Sequence, residues 1–86
     1  MTYLAEALKK HYIKQTDKII FKNKKNLNQL ALEMWEDLNF SQIDKSVLSK
    51  VLYGKRLFTT RQLEVFCNLL NLTTKEKEEL TYSLNK

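Results

Sequence analysis

Between Asp44 and Glu64 the chain carries Lys45, Ser46, Ser49, Lys50, Tyr53, Lys55, Arg56 and Arg61, and no acidic residue. Ammonium, guanidinium and hydroxyl groups are the donors that hold phosphate oxygens and read the edges of base pairs. On a helix, Lys45, Ser46, Ser49, Lys50 and Tyr53 share one outer face, while Leu48, Val51 and Leu52 share the inner one. A major groove about 12 Å wide admits such a helix. Gly54, the only glycine in the chain, is placed to end that helix in the left-handed conformation that other residues avoid. The turn that follows carries Lys55 and Arg56 towards a phosphate strand.

Other chemistries have no footing in the chain. No glycine-rich loop, nucleophile–histidine–carboxylate set or metal-ligand spacing occurs, so no enzyme activity, cofactor or metal is expected. His11 is the only histidine and Cys67 the only cysteine. Both fall on apolar helical faces and read as packing residues, as do Met34, Trp35 and Phe66. A lone cysteine gives neither a disulfide framework nor a zinc cluster.

Charge is laid down in blocks. Residues 1–25 hold seven lysines against Glu6 and Asp17, residues 26–44 hold four acids and no base, and residues 45–61 hold five bases and no acid. The overall charge is +5. Two basic blocks separated by an acidic one predict a polarised surface of the kind that binds polyanions. In that scheme Lys22, Lys24 and Lys25 add non-specific affinity, and Glu33, Glu36 and Asp37 form a solvated face. No apolar run approaches the length of a membrane span.

The elements that must position these groups read as helices throughout. A first helix is expected over about residues 2–15, with Leu4, Ala7, Leu8, His11 and Tyr12 on one face. It either continues through Ile19-Ile20-Phe21 or breaks near Thr16-Asp17. A second begins at the Asn26 cap with Gln29 as box partner, carries Leu27, Leu30, Ala31, Met34, Trp35 and Leu38, and ends at Asn39. The third runs from Asp44 to Tyr53, with Ile43 stapled onto Leu48. The fourth starts at Thr59, with Gln62 closing the capping box and Phe58 stapled onto Leu63, and carries Phe66, Cys67, Leu69 and Leu70. The fifth starts at Thr73 with Glu76 and presents Leu80 and Leu84. The expectation is an all-α fold, a compact bundle of four to six short helices in one domain spanning residues 1–86.

The run Ser46-Val47-Leu48-Ser49-Lys50-Val51-Leu52-Tyr53-Gly54-Lys55-Arg56 resembles the recognition helix and following turn of Cro/C1-type (XRE) helix-turn-helix regulators. Leu30-Ala31 resembles the Leu-Ala pair of that family's second helix, and residues 62–72 resemble its fourth. The resemblance covers about residues 26–72 and implies a lambda-repressor-like domain whose third helix enters the major groove. Two departures stand out. The segment from Trp35 to Ile43 makes the turn between the second and third helices longer than the family's. Leu27 occupies the place where the family often has a phosphate-contacting glutamine, so Asn26 or Asn28 has to stand in.

The sequence therefore points to a sequence-specific binder of double-stranded DNA, a bacterial or phage-type transcriptional regulator. It is expected in the cytoplasm, associated with the nucleoid when bound, and as a homodimer on DNA. Bases are expected to meet Lys45, Ser46, Ser49 and Lys50; phosphates are expected to meet Tyr53, Lys55, Arg56 and Arg61. Residues 73–86 are the candidate dimer contact, or a junction to a sensor domain outside this chain. The alternative is a small helical protein-interaction module, an antitoxin or phage inhibitor set against an acidic protein surface. A membrane-surface role for the first helix ranks below both, because its apolar face is needed for the core.

Overall fold

Capping chemistry sets most of the element boundaries. In the computed structural model, which describes residues 2–86, Asn26 and Gln29, Thr59 and Gln62, and Thr73 and Glu76 all close reciprocal capping boxes. They start α2 (Leu27–Asp37), α4 (Thr60–Leu69) and α5 (Thr74–Leu84). Thr2 and Asp44 cap α1 (Tyr3–Leu8) and α3 (Lys45–Leu52) with single side-chain bonds. Three helices also end alike. Asn39, Gly54 and Asn71 take φ of 59°, 77° and 53°. At each end the amide of that residue and the one after it bond back to carbonyls in the last turn, the second reaching five residues back: Phe40 to Trp35, Lys55 to Lys50 and Leu72 to Cys67. These are Schellman motifs, in which a left-handed residue lets the orphan carbonyls find donors.

The expected all-α fold is corrected at the N-terminal end. The first helix stops at Leu8, a single 3₁₀ turn follows over Lys9–His11, and the chain then forms an antiparallel hairpin, β1 (Tyr12–Gln15) and β2 (Lys18–Phe21). The fold is five helices plus one two-stranded sheet. Two β-branched and aromatic clusters, Tyr12-Ile13 and Ile19-Ile20-Phe21, favour a pleated surface over a helix. Thr16 and Asp17 supply a two-residue turn with Thr16 at φ 56°, so Asp17 caps no helix. Four-residue strands with only one face packed leave almost no alternation to read, since β1 is exposed at every position after Tyr12. The hairpin is carried by the core: Phe21 lies edge-on to both Tyr12 and Phe66, at 5.8 and 5.9 Å between ring centroids.

Leu4, Leu8, Leu30, Met34, Leu48, Leu52, Phe66 and Leu80 are fully buried and draw residues from every helix into one core. Ile43, Phe58 and Leu63 are buried with them, as both predicted staples require. Cys67 is buried. Trp35 departs from its expected core position. It is 36% exposed and stacks edge-on with Phe40 at 4.9 Å, forming the apolar contact that commonly closes a Schellman motif.

The long turn between α2 and α3 contains no extra helical turn; residues 38–44 are irregular, with Asn39, Phe40 and Gln42 all at positive φ. It is held from outside. Gln62, 2% exposed, accepts from the Thr59 amide through Oε1 and donates through Nε2 to the Gln42 carbonyl at 3.1 Å. The cap of α4 thereby fixes the segment that sets α3 against α2. Among the described residues no helix is long and apolar enough to cross a membrane.

Candidate nucleic-acid interface

Helix α3 is anchored from three sides before any polar group is considered. The Asp44 carboxylate accepts from the Val47 amide at 2.8 Å, which engages the nearest acid in capping. Leu48, Val51 and Leu52 are buried. Gly54 closes the C-terminal end, where the Lys55 amide reaches the Lys50 carbonyl at 2.8 Å and the Gly54 amide reaches Val51 at 3.2 Å. What remains outward is the predicted set: Lys45, Ser46, Lys50 and Tyr53 exposed and Ser49 half-buried. Lys55 and Arg56 are exposed immediately beyond, turned back by the Schellman bonds.

One side of α3 forms the wall of a cleft of about 230 Å³ lined by Asp17, Lys18, Ile19, Asn26, Leu27, Asn28, Lys45, Ser49 and Tyr53. The predicted residues Asn26, Asn28, Lys45, Ser49 and Tyr53 therefore converge. The Asn26 Oδ1 is committed to the Gln29 amide at 2.9 Å, whereas Asn28 is exposed. Ser46 and Lys50 lie outside this cleft and, with Asp44, Lys45 and Ser49, form a shallow open surface. Arg61 sits apart on α4, 3.6 Å from the Glu64 carboxylate.

The sequence reading missed the hairpin's share of the site. Lys18 lines the cleft, and the Lys14 ammonium lies 5.6 Å from the centre of the Tyr53 ring. The available signal was the pair of β-branched clusters around Thr16-Asp17. The lysines expected to add non-specific affinity are placed otherwise. Lys22 pairs with Glu76 at 2.8 Å and Lys25 with Glu33 at 3.2 Å, and Lys24 lines a separate groove with Lys10 and Lys22. Among the described residues, Lys14, Lys18, Lys45, Lys50, Lys55 and Arg56 form no ion pair. The lysines beside α3 are thus free of ion pairs among the described residues, as are Lys24, Lys75, Lys77 and Lys86 elsewhere, while Lys9, Lys10, Lys22 and Lys25 are paired.

Titratable groups away from this face have structural causes for their shifts. Burial lowers the His11 imidazole below its usual 6.5, and its Nδ1 has no hydrogen-bond partner among the described residues. Burial also raises the Cys67 thiol. The Lys22 hydrogen bond, then the Thr73 amide, hold the Glu76 carboxyl down to about 2. Helix α5, the candidate dimer contact, is turned inward at Leu80, which is fully buried in this chain's own core; Leu84 is half-buried. No described group of three His, Cys, Asp or Glu side chains is placed to hold a metal ion. No protein-family model, curated protein or solved structure matches the chain.

Proposed function

We propose that the chain is a sequence-specific DNA-binding domain of a transcriptional regulator, with α3 entering the major groove as in the helix-turn-helix domains its sequence resembles. The observation that carries this reading is the exposed face of α3. Lysines and serines stand there with no ion pair among the described residues, on a helix whose opposite face is fixed in the core and whose two ends are capped. With its side chains an α-helix is about 10–12 Å across, which a major groove about 12 Å wide admits. Lys45, Ser46, Ser49 and Lys50 address base edges; Tyr53, Lys55 and Arg56 address phosphates. Asn28 reaches the strand at the start of α2 more readily than Asn26, whose carbonyl oxygen is committed to the cap. Arg61 is the weakest member of the set because of its Glu64 partner. A single small domain contacts few base pairs, so two copies on half-sites about one turn apart are the expected assembly, a spacing that a domain 32 Å in its longest dimension can match. Leu80 is excluded from their contact.

Selection of bound duplexes from a random pool at about 150 mM salt, where non-specific phosphate binding is already weakened, tests this. Wild type should enrich one motif, and Lys50→Ala or Ser49→Ala should weaken binding to it by about 1–3 kcal/mol and relax preference at one position. Binding with no enriched motif, fading smoothly with salt, would refute the proposal.

A further inference from the structure

We infer that the β1–β2 hairpin is a second DNA-contacting element, holding the phosphate strand beside the groove through Lys14 and Lys18. The inference rests on the α3 reading above and extends it to residues that the helix-turn-helix frame does not include.

Position comes first. Asp17, Lys18 and Ile19 of the hairpin line the same cleft as Lys45, Ser49 and Tyr53 of α3 and its cap, together with Asn26, Leu27 and Asn28. A strand bordering the groove occupied by α3 passes along that cleft. In the hairpin register Lys14 pairs with buried Ile19. It therefore springs from the core-facing side of the sheet and emerges over Tyr53. Its ammonium is held beside the C-terminal end of α3, where the proposed phosphate contacts of Tyr53, Lys55 and Arg56 begin. Lys18 pairs with Gln15, leaves the other face of the hairpin, and lines the cleft together with Lys45. Two points along one strand are thus offered a cation.

Charge is the independent observation. Among the seven lysines before Asn26, Lys9, Lys10, Lys22 and Lys25 lie within 2.7 to 3.4 Å of carboxylates. The remaining three, Lys14, Lys18 and Lys24, form no such pair among the described residues; Lys24 lines a separate groove, while Lys14 and Lys18 are the two beside Tyr53 and the α3 cleft. An ammonium left without a carboxylate beside a cationic helix is repelled by its neighbours, and a polyanion relieves that repulsion. Asp17, at the turn and also lining the cleft, opposes the same strand. Its charge has a predictable effect of opposite sign.

The test uses the duplex that wild type enriches and a scrambled duplex of equal length, titrated between about 50 and 200 mM salt. Lys14→Ala/Lys18→Ala should make the slope of log affinity against log salt shallower by about 2 on both duplexes. The selected motif should not change, and Lys14→Arg/Lys18→Arg should restore the slope. Asp17→Asn should tighten binding to both duplexes. If wild type enriches a motif but the double alanine variant keeps the wild-type slope, the hairpin inference fails while the α3 reading stands. If wild type enriches none, both fail together. Thermal melting of each variant separates lost contacts from lost folding.

Discussion

Gln62 joins the start of α4 to the turn that aims α3, and replacing it measures how firmly that turn is held. Gln62→Met keeps most of the side-chain volume and removes two hydrogen bonds, the 2.9 Å acceptance from the Thr59 amide and the 3.1 Å donation to the Gln42 carbonyl. Each is worth about 1 kcal/mol net. Thr59 and Gln42 are both exposed residues, so water can recover part of what is lost, and the expected cost is about 2 kcal/mol rather than the full penalty of buried orphans. For a domain of this size that corresponds to a fall in Tm of about 8–16 °C. Gln62→Glu separates the two bonds. A carboxylate still accepts from Thr59 and favours the positive end of α4, but it sets an acceptor against the Gln42 carbonyl. Urea denaturation should show Gln62→Glu to be no more stable than Gln62→Met. A loss below about 0.5 kcal/mol for Gln62→Met, or a Gln62→Glu protein as stable as wild type, would show that this contact does not hold the turn.

Two pH ranges should separate in stability measurements. Because burial lowers the His11 pKa, the unfolded chain binds more protons than the folded one below about 6.5, and stability falls as pH drops through that region. Glu76, held down to about 2 from 4.5, contributes stability that is present above 4.5 and lost as pH falls from there towards 2. Urea midpoints against pH should lose the first slope in His11→Phe and show a smaller second slope in Glu76→Gln, where Glu79, also held low by its Lys10 hydrogen bond, still contributes; slopes unchanged in either variant would contradict the assignment. Cys67, buried with its thiol raised by burial, should react with a thiol reagent only at the rate of unfolding. Fast labelling of the native protein would place it at the surface.

The parts legible in the sequence were those written in local chemistry. Asn26, Asp44, Thr59 and Thr73 each sit directly before a helix because a side-chain oxygen there satisfies an amide that the helix leaves unpaired. Gly54 and Asn39 end helices because both tolerate positive φ. The outer face of α3 follows from its period alone. The hairpin was not legible because its packing is set at long range by Phe66, on α4, and its strands are too short to show a period of two. The helical face Leu4, Ala7, Leu8 and His11 was read correctly for the buried residues, but one turn of 3₁₀ helix releases the chain into a strand just where the pattern still looked helical. Trp35 was misplaced because its helical phase is apolar, while its partner, Phe40, lies outside the helix and is brought back only by the Schellman turn.

Helices α1 and α5, drawn from opposite ends of the sequence, pack against each other, and Lys10 meets Glu79 at 2.7 Å across that seam. During synthesis at about 5–20 residues per second, Leu8 emerges about 4–14 s before Leu80. For that interval the apolar face of α1 lacks the helix that completes its burial. Burial of that face is therefore completed only when α5 has left the ribosome, so the core closes around the last helix to be made.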